Sequence, residues 1–413
     1  MVDRRCLIVT ALDLSSLETS LHGIYQRFQS LVEAAARSGL AVDVAAPFRD
    51  DGDFAARAAF EQKVQADVFR QWGVVVRVTA MPLRPQPRLP WSLLEVLGAL
   101  RFAWTLPVFR ATSPTAIRAL RGTLTEDTSL IISHRLITCI QLSNVGGQIP
   151  VILDLDDVEH VKAARLPVDD QSISRRLLRW LALCSLKAAE RGACERATRT
   201  LVCSDADADY LRSSFLGTFV SVPNAVSIPT AATGPSHSKV MLMVGIYSYQ
   251  PNADAAQYFI REVLPLIRQQ VPEAEVWFAG KGEHVIAPDC RGIPGVKFLG
   301  FQTSLAPLYA DARLAICPIR AGGGTRIKII EAAAFAVPCV STTVGAEGLQ
   351  LTHGQTVLIG DTAAAFAVHC IELLTDHALA VEIGTSAHRT ALTTYSREAQ
   401  VSNLTSLFQQ ISR

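Results

Sequence analysis

Short apolar runs rich in valine and isoleucine alternate with longer helical segments along the whole chain, and this alternation limits the possible folds more than any other feature. Parallel sheets produce it, because strands covered on both faces read as apolar runs and a helix must return the chain between them. The runs are 6–10, 41–47, 74–81, 130–133, 150–156 and 200–204, then 240–245, 275–280, 296–300, 314–319, 339–343 and 356–360. The sequence therefore predicts two α/β domains, each with a doubly wound parallel sheet.

The boundary between the two domains is predicted at 229–238, where Pro, Gly, Ser and Thr replace the apolar periodicity. The chain has 413 residues, which at about 100–200 residues per domain is enough for two or three domains. We predict an N-terminal domain at 1–228, a hinge at 229–238 and a C-terminal domain at 239–390. Residues 391–413 should form an amphipathic final helix that crosses back to the N-terminal domain.

Composition excludes several classes of protein. With 39 basic and 38 acidic residues the formal charge is +1, so there is no overall positive field to hold nucleic acid. The nine cysteines include no C-x-x-C pair, which favours reduced core residues in a cytoplasmic protein over a metal or redox site. No stretch reaches the roughly 18 uninterrupted apolar residues that a membrane-spanning helix needs.

The most informative segment is 318–349, which reads as a strand end, a glycine loop, a helix and another strand. Gly322, Gly323 and Gly324 allow the backbone to approach a ligand closely, and the N-terminus of the following helix favours a phosphate. On that helix Lys328 and Glu331 are three positions apart and share a face. A nucleoside diphosphate needs such a cation and carboxylate, although a surface Lys–Glu pair after an ordinary glycine turn is the alternative.

At this point the chain resembles the retaining glycosyltransferases of the GT-B fold, in particular family 4, also called group 1 glycosyltransferases. The resemblance is carried by VGIYSYQPNADAAQYF, VWFAGKGE, PIRAGGGTRIKIIEAAAFAVPCVST and VGAEGL within 240–413, and more loosely by HGIYQRF, VILDLDDVEH and VPNAV in the first half. It implies two Rossmann-like domains, with the nucleotide sugar bound by the C-terminal domain, the acceptor by the N-terminal domain and the reaction in a cleft between them.

The resemblance also implies roles for single residues. Glu331 is the second glutamate of the family pattern E-x-x-x-x-x-x-x-E and would hold the donor ribose, whereas Gly323 stands at the first glutamate. Contacts to the donor sugar would then come from the backbone of 322–324. The family also has a basic pair after the first strand of this domain, which is missing here, so Lys328 and Arg326 would stabilise the leaving diphosphate.

Further positions match the family in the same way. Gly245 would let the diphosphate approach the first strand of the domain, and Gly300 would lie beside the nucleobase. Glu347, in G-x-E-G, would lie near the donor sugar, and Gly23 would face the diphosphate or the acceptor. Gly245 has a structural alternative, a plain strand-to-helix turn, and so has Glu347, a solvated loop residue.

DLDDVEH at 154–160 places several carboxylates after an apolar strand. Asp157 and His160 lie at the carboxyl end of a parallel strand, where they would orient the acceptor hydroxyl, or where His160 would be structural. We predict no metal here, because such carboxylates also cap helices and the resemblance implies basic residues in place of a metal. Arg27 is expected on a helix surface.

Together with the resemblance, the sequence predicts a metal-independent, retaining transfer of a sugar from a UDP-sugar or GDP-sugar to a hydroxyl on a glycan or lipid-linked acceptor. The resemblance implies a bacterial surface polysaccharide or a lipid-linked oligosaccharide as the product class. With Gly323 at the first glutamate, no carboxylate is placed as a nucleophile, which favours front-face transfer. The alternatives are a nucleotide-sugar epimerase or hydrolase and a non-catalytic nucleotide-sugar-binding partner. A dehydrogenase is excluded because no G-x-G-x-x-G follows the first strand.

Residues 84–122 carry six arginines and a single acid, interleaved with aromatic residues such as Trp91 and Trp104. This composition predicts either an interfacial helix on anionic lipid or a core helix with an arginine-rich solvent face. In the first case the protein would be peripheral on the inner face of the cell membrane.

Overall fold

The computed structural model describes residues 4–19, 23–49, 54–83, 114–142, 147–165 and 173–412. The chain divides into two compact units, which we call unit 1 (Met1–Val222 with Gln400–Arg413) and unit 2 (Pro223–Ala399). Each unit is built around one parallel sheet with its own apolar core.

The sheet of unit 1 has the strand order β3-β2-β1-β4-β5-β6-β7, and all neighbouring strands pair in parallel. Its strands are β1 (Arg5–Thr10), β2 (Ala41–Arg49), β3 (Val76–Leu83), β4 (Thr128–His134), β5 (Val151–Asp156), β6 (Arg199–Val202) and β7 (Phe219–Ser221). The order reverses between β1 and β4. In a doubly wound sheet this reversal opens a crevice at the carboxyl ends of the two strands, where ligands bind.

The described helices of unit 1 cover the two faces of this sheet. They are α1 (Gly23–Arg37), α2 (Phe54–Trp72), α3 (Pro114–Thr123), α4 (Leu136–Leu142), α5 (Glu159–Arg165), α6 (Ile173–Arg196) and α7 (Asp205–Ser214), with a 3₁₀ turn at Leu14–Thr19. Phe28 and Leu31 of α1 are fully buried in the core, as the spacing of apolar residues predicts.

The sheet of unit 2 has the order β10-β9-β8-β11-β12-β13, again entirely parallel. Its strands are β8 (Val240–Val244), β9 (Glu275–Ala279), β10 (Val296–Gly300), β11 (Leu314–Cys317), β12 (Cys339–Ser341) and β13 (Leu358–Ile359). The order reverses between β8 and β11. The prediction of two doubly wound parallel sheets is therefore confirmed.

The helices of unit 2 and the final helix follow in chain order. They are α8 (Gln250–Tyr258), α9 (Leu264–Gln270), α10 (Ala306–Asp311), α11 (Ile327–Ala334), α12 (Thr343–Ala346), α13 (Ala363–Thr375), α14 (His377–Thr394) and α15 (Arg397–Ile411), with a π-helical turn at Phe259–Val263 and 3₁₀ turns at Glu283–Val285 and Pro288–Cys290.

The ends of the units differ from the ranges expected from sequence. Within the predicted hinge 229–238, the amides of Gly234 and Ser236 donate to the carbonyls of Phe335 and Ala312, so this segment belongs to unit 2. The last part of α15 belongs to unit 1, where Val401, Leu404 and Phe408 are buried in the same core as β1.

Among the described residues, no single helix is both long and apolar enough to cross a membrane, and only the strongly bent pair α13 and α14 passes when its two helices are counted together. Of the predicted lipid-contact segment 84–122, residues 84–113 lie outside the described part of the chain. The remaining residues, 114–122, belong to α3. The nine cysteines all lie within the described residues and form no disulfide, and all but Cys184 are buried.

Candidate functional site

The glycine loop of the sequence lies at the switch point of unit 2. Gly245 follows β8, and residues 318–326 follow β11, so both segments leave the sheet at its carboxyl edge on either side of the reversal in strand order. Open α/β sheets bind ligands at such a place. The fold therefore brings together two predicted donor segments that lie more than 70 residues apart in the sequence.

The glycine loop has backbone dihedral angles that residues with a side chain adopt only with strain. Gly322 has φ 123° and Gly324 has φ 74°, both in the region that glycine tolerates. Arg326 turns back on this loop and donates to the carbonyls of Gly323 and Gly324. Two of the predicted donor contacts are thus made rigid by Arg326, whose guanidinium is partly used within the loop.

A second residue fixes the same loop from the start of unit 2. The Asn224 side chain is buried, and its Nδ2 donates to Thr325 Oγ1 at 3.0 Å. In the sequence, VPNAV carries only a loose resemblance to the family. The structure gives Asn224 a definite contact on the glycine loop.

Glycines also stand where the neighbouring strands end. The amide of Gly245 donates to Ala279 O at 2.9 Å, and that of Gly280 donates to Gly300 O at 2.8 Å. A Cβ on Gly280 would lie 1.8 Å from Gly245 O, so no other residue fits there without moving the backbone. Gly300 has φ 64°. These glycines allow three strand ends to lie side by side.

Lys328 and Glu331 share one face of α11, as predicted, and both are half-buried. Burial lowers the pKa of Lys328 and raises the pKa of Glu331 to about 7, an increase that the Lys328 charge partly opposes. Near neutral pH the site therefore combines a lysine with a carboxyl group that holds its proton to a higher pH than an exposed glutamate does. Such a pair can bind an anion and accept hydrogen bonds from hydroxyl groups.

Lys328 donates a hydrogen bond to a side chain that was not predicted from the sequence. Its Nζ donates to Asn252 Oδ1 at 2.7 Å. Asn252 lies in the first turn of α8, within the segment VGIYSYQPNADAAQYF that resembles the family. An uncharged amide in such a segment does not by itself indicate a functional residue, so the sequence did not predict its contact with Lys328. Of the two tyrosines nearby, Tyr247 is buried with its hydroxyl on Met243 O, and Tyr249 is exposed beside Gly322.

Phe301 and the predicted donor contact Glu347 lie on the same edge of unit 2. Phe301, directly after Gly300, is exposed, and Lys281 Nζ lies 4.4 Å from the centre of its ring. Glu347 directly follows α12 and is exposed. Gly345 of the same G-x-E-G motif has a packing reason, because a Cβ there would lie 2.3 Å from Ser341 Oγ.

Arg27 of unit 1 is not on a helix surface, so that prediction was wrong. It is 2% exposed, and its Nη2 and Nε contact the fully buried Asp154 at 2.5 and 2.8 Å. Its Nη1 donates to Val222 O at 2.8 Å. The position looked exposed because its partner is 127 residues away in sequence, at the carboxyl half of β5.

His160 and Asp157 of unit 1 both have protein partners. The His160 ring is buried, with Nδ1 against Glu190 and Nε2 2.8 Å from the Tyr210 hydroxyl. Asp157 accepts from Lys162 at 2.5 Å. To bind the hydroxyl of an acceptor substrate, as predicted, His160 would have to give up its hydrogen bond to Glu190 or to Tyr210.

Gly23 begins α1 directly after residues 20–22, which lie outside the described part of the chain. Within the described residues, no group of three or more His, Cys, Asp or Glu side chains is placed to hold a metal ion. The predicted absence of a metal stays a prediction.

Comparison with known proteins agrees with these features. Residues 238–376 match the family described as glycosyl transferases group 1. An uncharacterised 44.6 kDa protein in the cps region of Klebsiella pneumoniae is 24% identical over 143 residues, a match that covers 33% of this chain and only 37% of that relative.

Solved structures resemble almost the whole chain at low identity. Sucrose-phosphate synthase from Thermosynechococcus elongatus superposes with a TM-score of 0.68 at 17% identity, covering 99% of both chains. HepE from Anabaena, in complex with UDP and glucose, gives 0.61 at 15%, covering 98% of this chain and 99% of HepE. A mutant of S. aureus TarM, in complex with Fondaparinux, alpha-GlcNAc-glycerol and UDP, gives 0.66 at 10%, covering 97% and 99%.

These likenesses establish the fold, and the family match covers the unit that carries the glycine loop, Lys328 and Glu331. The chain therefore has the fold of the GT-B structures, and residues 238–376 within it match the group 1 glycosyl transferases.

Proposed function

We propose that this protein is a retaining glycosyltransferase that moves a sugar from a nucleotide diphosphate sugar to a hydroxyl acceptor. The observation that carries the proposal is the position of Lys328 and Glu331 on one face of α11, behind the glycine loop at the switch point of unit 2. A cation and a hydroxyl acceptor one turn apart fit a diphosphate joined to a ribose.

The donor is bound by unit 2 in this proposal. Glu331 accepts hydrogen bonds from the ribose hydroxyls, and Lys328 together with the N-terminus of α11 neutralises the diphosphate. Arg326 keeps the glycine loop rigid through the carbonyls of Gly323 and Gly324. The donor is a UDP-sugar or GDP-sugar. UDP in the HepE and TarM complexes supports the first of these.

Front-face transfer is the proposed chemistry, because Gly323 offers no carboxylate as a nucleophile. The acceptor oxygen bonds to the anomeric carbon on the face from which the diphosphate departs, and the bond from that carbon to the diphosphate oxygen breaks. The acceptor proton passes to the leaving diphosphate. Lys328 stabilises the charge that develops on the leaving group.

The acceptor is bound by unit 1 in this proposal, at the edge that Gly23, Asp157 and His160 share. A surface polysaccharide or a lipid-linked oligosaccharide is the product class, which the cps-region relative supports. That match covers only a third of the chain and leaves the sugar and the linkage open.

A peripheral membrane contact also belongs to this proposal, and the start of α6 supports it. Ile173, Leu177 and Trp180 follow one another at helical spacing and are 85%, 55% and 59% exposed. Residues 173–189 contain four basic side chains and no acid, and Arg176 and Lys187 are exposed beside the apolar stripe. An apolar stripe with basic flanks suits the surface of an anionic bilayer.

Thermal shift tests the donor site first. UDP, GDP, ADP and their sugars are each added to the protein with and without EDTA. A ligand at 100 times its Kd stabilises a protein by about 2.7 kcal/mol, so one nucleotide should raise Tm whether or not EDTA is present. No shift with any nucleotide would refute the donor site.

Turnover separates the remaining candidates. Donor consumption that requires a hydroxyl acceptor, with the product linkage retaining the configuration of the donor, supports the transferase. Conversion of the donor without an acceptor would indicate an epimerase or hydrolase. Binding without any turnover would indicate a nucleotide-sugar-binding partner, in which the glutamate missing at Gly323 would mark the loss of transfer.

A further inference from the structure

The Lys328 ammonium is held by one uncharged side chain. Its Nζ donates to Asn252 Oδ1 at 2.7 Å, which ties α11 to the first turn of α8. Directly below them lies Gly245 at the end of β8. A Cβ on this glycine would come within 3.2 Å of Asn252 Cγ and 3.4 Å of Lys328 Nζ. The two side chains therefore occupy the space that Gly245 leaves.

The orientation of the Asn252 amide is fixed on both sides. Its Nδ2 donates to Ile246 O at 2.9 Å, and its backbone amide donates to Tyr249 O at 2.9 Å. Turning the side-chain amide over would bring its NH₂ group against the Lys328 ammonium and its oxygen against Ile246 O. Both contacts would be repulsive, so the loop after β8 sets the direction of the acceptor.

An amide supports the ammonium without cancelling its charge. The titratable or charged groups that act on Lys328 are Cys317 of β11, Cys339 of β12, Glu331 on its own helix and Arg326 just before it. Burial and Arg326 favour the neutral amine, whereas the others favour the ammonium. Asn252 adds a hydrogen bond to the ammonium and no negative charge, which leaves the full cation for a bound anion.

We propose that Asn252 is a positioning residue that fixes the Lys328 ammonium at the carboxyl end of β8 for the donor diphosphate. The inference rests on the proposed function, because it assumes that Lys328 meets the diphosphate. It explains how positive charge reaches the end of β8 although the loop there carries tyrosines: Lys328 of α11, oriented by a neutral amide, is held at this position.

Two substitutions of Asn252 distinguish the effect of its neutral charge from the effect of its hydrogen bond to Lys328. Asn252→Asp keeps the shape but pairs Lys328 with a carboxylate, so the affinity for the nucleotide that binds wild type should fall by about tenfold or more. Asn252→Ala removes the acceptor and should weaken binding by about three- to tenfold. Gln257→Ala is the matched control, because that amide donates to Ala253 O within α8, and it should bind like wild type.

A double-mutant cycle with Lys328→Gln tests whether Asn252 acts through the lysine. If it does, Asn252→Ala should weaken binding further by less than about twofold once Lys328 is gone, because the interaction energy is then already lost. Equal losses in both backgrounds would overturn the proposal and indicate a direct contact between Asn252 and the ligand. Circular dichroism of each variant checks that the fold is retained.

A second readout does not require nucleotide. Acetylation of Lys328, followed by mass spectrometry of its peptide as a function of pH, reports the pKa of this amine in the full chain. Asn252→Ala should lower that pKa and Asn252→Asp should raise it, each by about half a unit or more. A loosened fold would shift the Lys328 pKa in the same direction in both variants. That result, or an unchanged pKa, would overturn the pairing of Asn252 with Lys328. If the pKa values move as expected but no nucleotide binds wild type, the proposed function fails and the role toward the diphosphate fails with it.

Discussion

Arg27 and Asp154 form an ion pair that is closed to solvent at the carboxyl edge of the sheet in unit 1. Burial by itself would lower the pKa of the Arg27 guanidinium, but the Asp154 charge raises it overall. The same guanidinium donates to Val222 O, the last residue of unit 1 before the chain enters unit 2. The Arg27 side chain thus links α1 to β5 and to the last residue of the first segment of unit 1.

Arg27→Met should therefore destabilise unit 1 strongly. The substitution leaves Asp154 buried without its cation, a change that costs about 3–5 kcal/mol. Arg191→Met is the control, because Arg191 pairs with Glu195 on the exposed surface of α6, where an ion pair contributes about 0.2–1 kcal/mol. Urea unfolding measures both. Similar losses in the two variants would contradict the importance given to the buried pair.

His134 should make the protein sensitive to acid. It is fully buried beside Thr10, and burial lowers its pKa to about 4. An unfolded histidine titrates near 6.5, so between pH 6.5 and 4 the unfolded state binds more protons and stability falls with falling pH. The shift corresponds to about 3 kcal/mol over this window.

His134→Gln should accordingly lose less stability than wild type between pH 7 and 4.5. Urea unfolding at a series of pH values measures the two slopes. Glu331 has the opposite sign, because its raised pKa removes stability as pH rises toward 7. That contribution is present in both proteins and cancels in the comparison. Parallel curves would exclude His134 as the source of acid sensitivity.

The two sheets were predictable because each buried strand is a continuous apolar run, as in CLIVT and VILDLD. A short strand at the edge of the sheet in unit 1 was harder to predict. Phe219–Ser221 has only three residues and was missed. Its strand character comes from pairing with β6 and not from a local pattern.

The candidate site was predictable only where one segment carries the whole signal. Gly322, Lys328 and Glu331 lie within ten residues and define a loop and a helix face by local rules. Asn252 and Arg27 act through partners distant in sequence, Lys328 and Asp154. No periodicity or spacing within one segment encodes such a contact, so it emerges only when the strands are placed side by side.

Gly280→Ala should damage the site through the backbone. The new Cβ would lie 1.8 Å from Gly245 O, and the residue has φ 138°, which strains any L side chain. Overpacking and strain together should cost about 3 kcal/mol or more and should displace Gly245 from Asn252. Tm and nucleotide affinity should both fall.

The control for this change is Gly122→Ala. A Cβ at Gly122 meets no atom within 4 Å, and the residue lies in α3. Alanine is favoured over glycine in a helix by up to about 1 kcal/mol, so this variant should be as stable as wild type or more stable. Equal damage from both substitutions would show that the space at Gly280 is not restrictive.

Glu331 should make nucleotide binding depend on pH. Burial raises its pKa to about 7, and ribose hydroxyls that donate to this group favour its carboxylate form. Affinity should therefore rise between pH 6 and 8, by up to about tenfold per unit on the acidic side of the pKa. Isothermal titration with the nucleotide found by thermal shift measures this dependence.

Substitution identifies the group responsible. Glu331→Gln should flatten the pH dependence, and Glu331→Ala should weaken binding by about 1.5–3 kcal/mol, as expected for a hydrogen bond to a charged group. Glu382→Gln, at an exposed position on α14, should behave like wild type. A nucleotide that binds Glu331→Ala with wild-type affinity would remove this residue from the ribose site.

The exposed stripe on α6 should hold the protein on anionic membranes. Wild type should float with phosphatidylglycerol vesicles and much less with phosphatidylcholine vesicles, and added salt should weaken binding because it screens Arg176 and Lys187. Trp180→Ser should reduce flotation severalfold, since the indole supplies much of the apolar area. Phe54→Ser, at another exposed aromatic position on α2, should leave flotation unchanged. Equal loss in both variants would contradict a lipid face on α6, and a concentration-dependent dimer that Trp180→Ser abolishes would assign the stripe to a second copy of the chain.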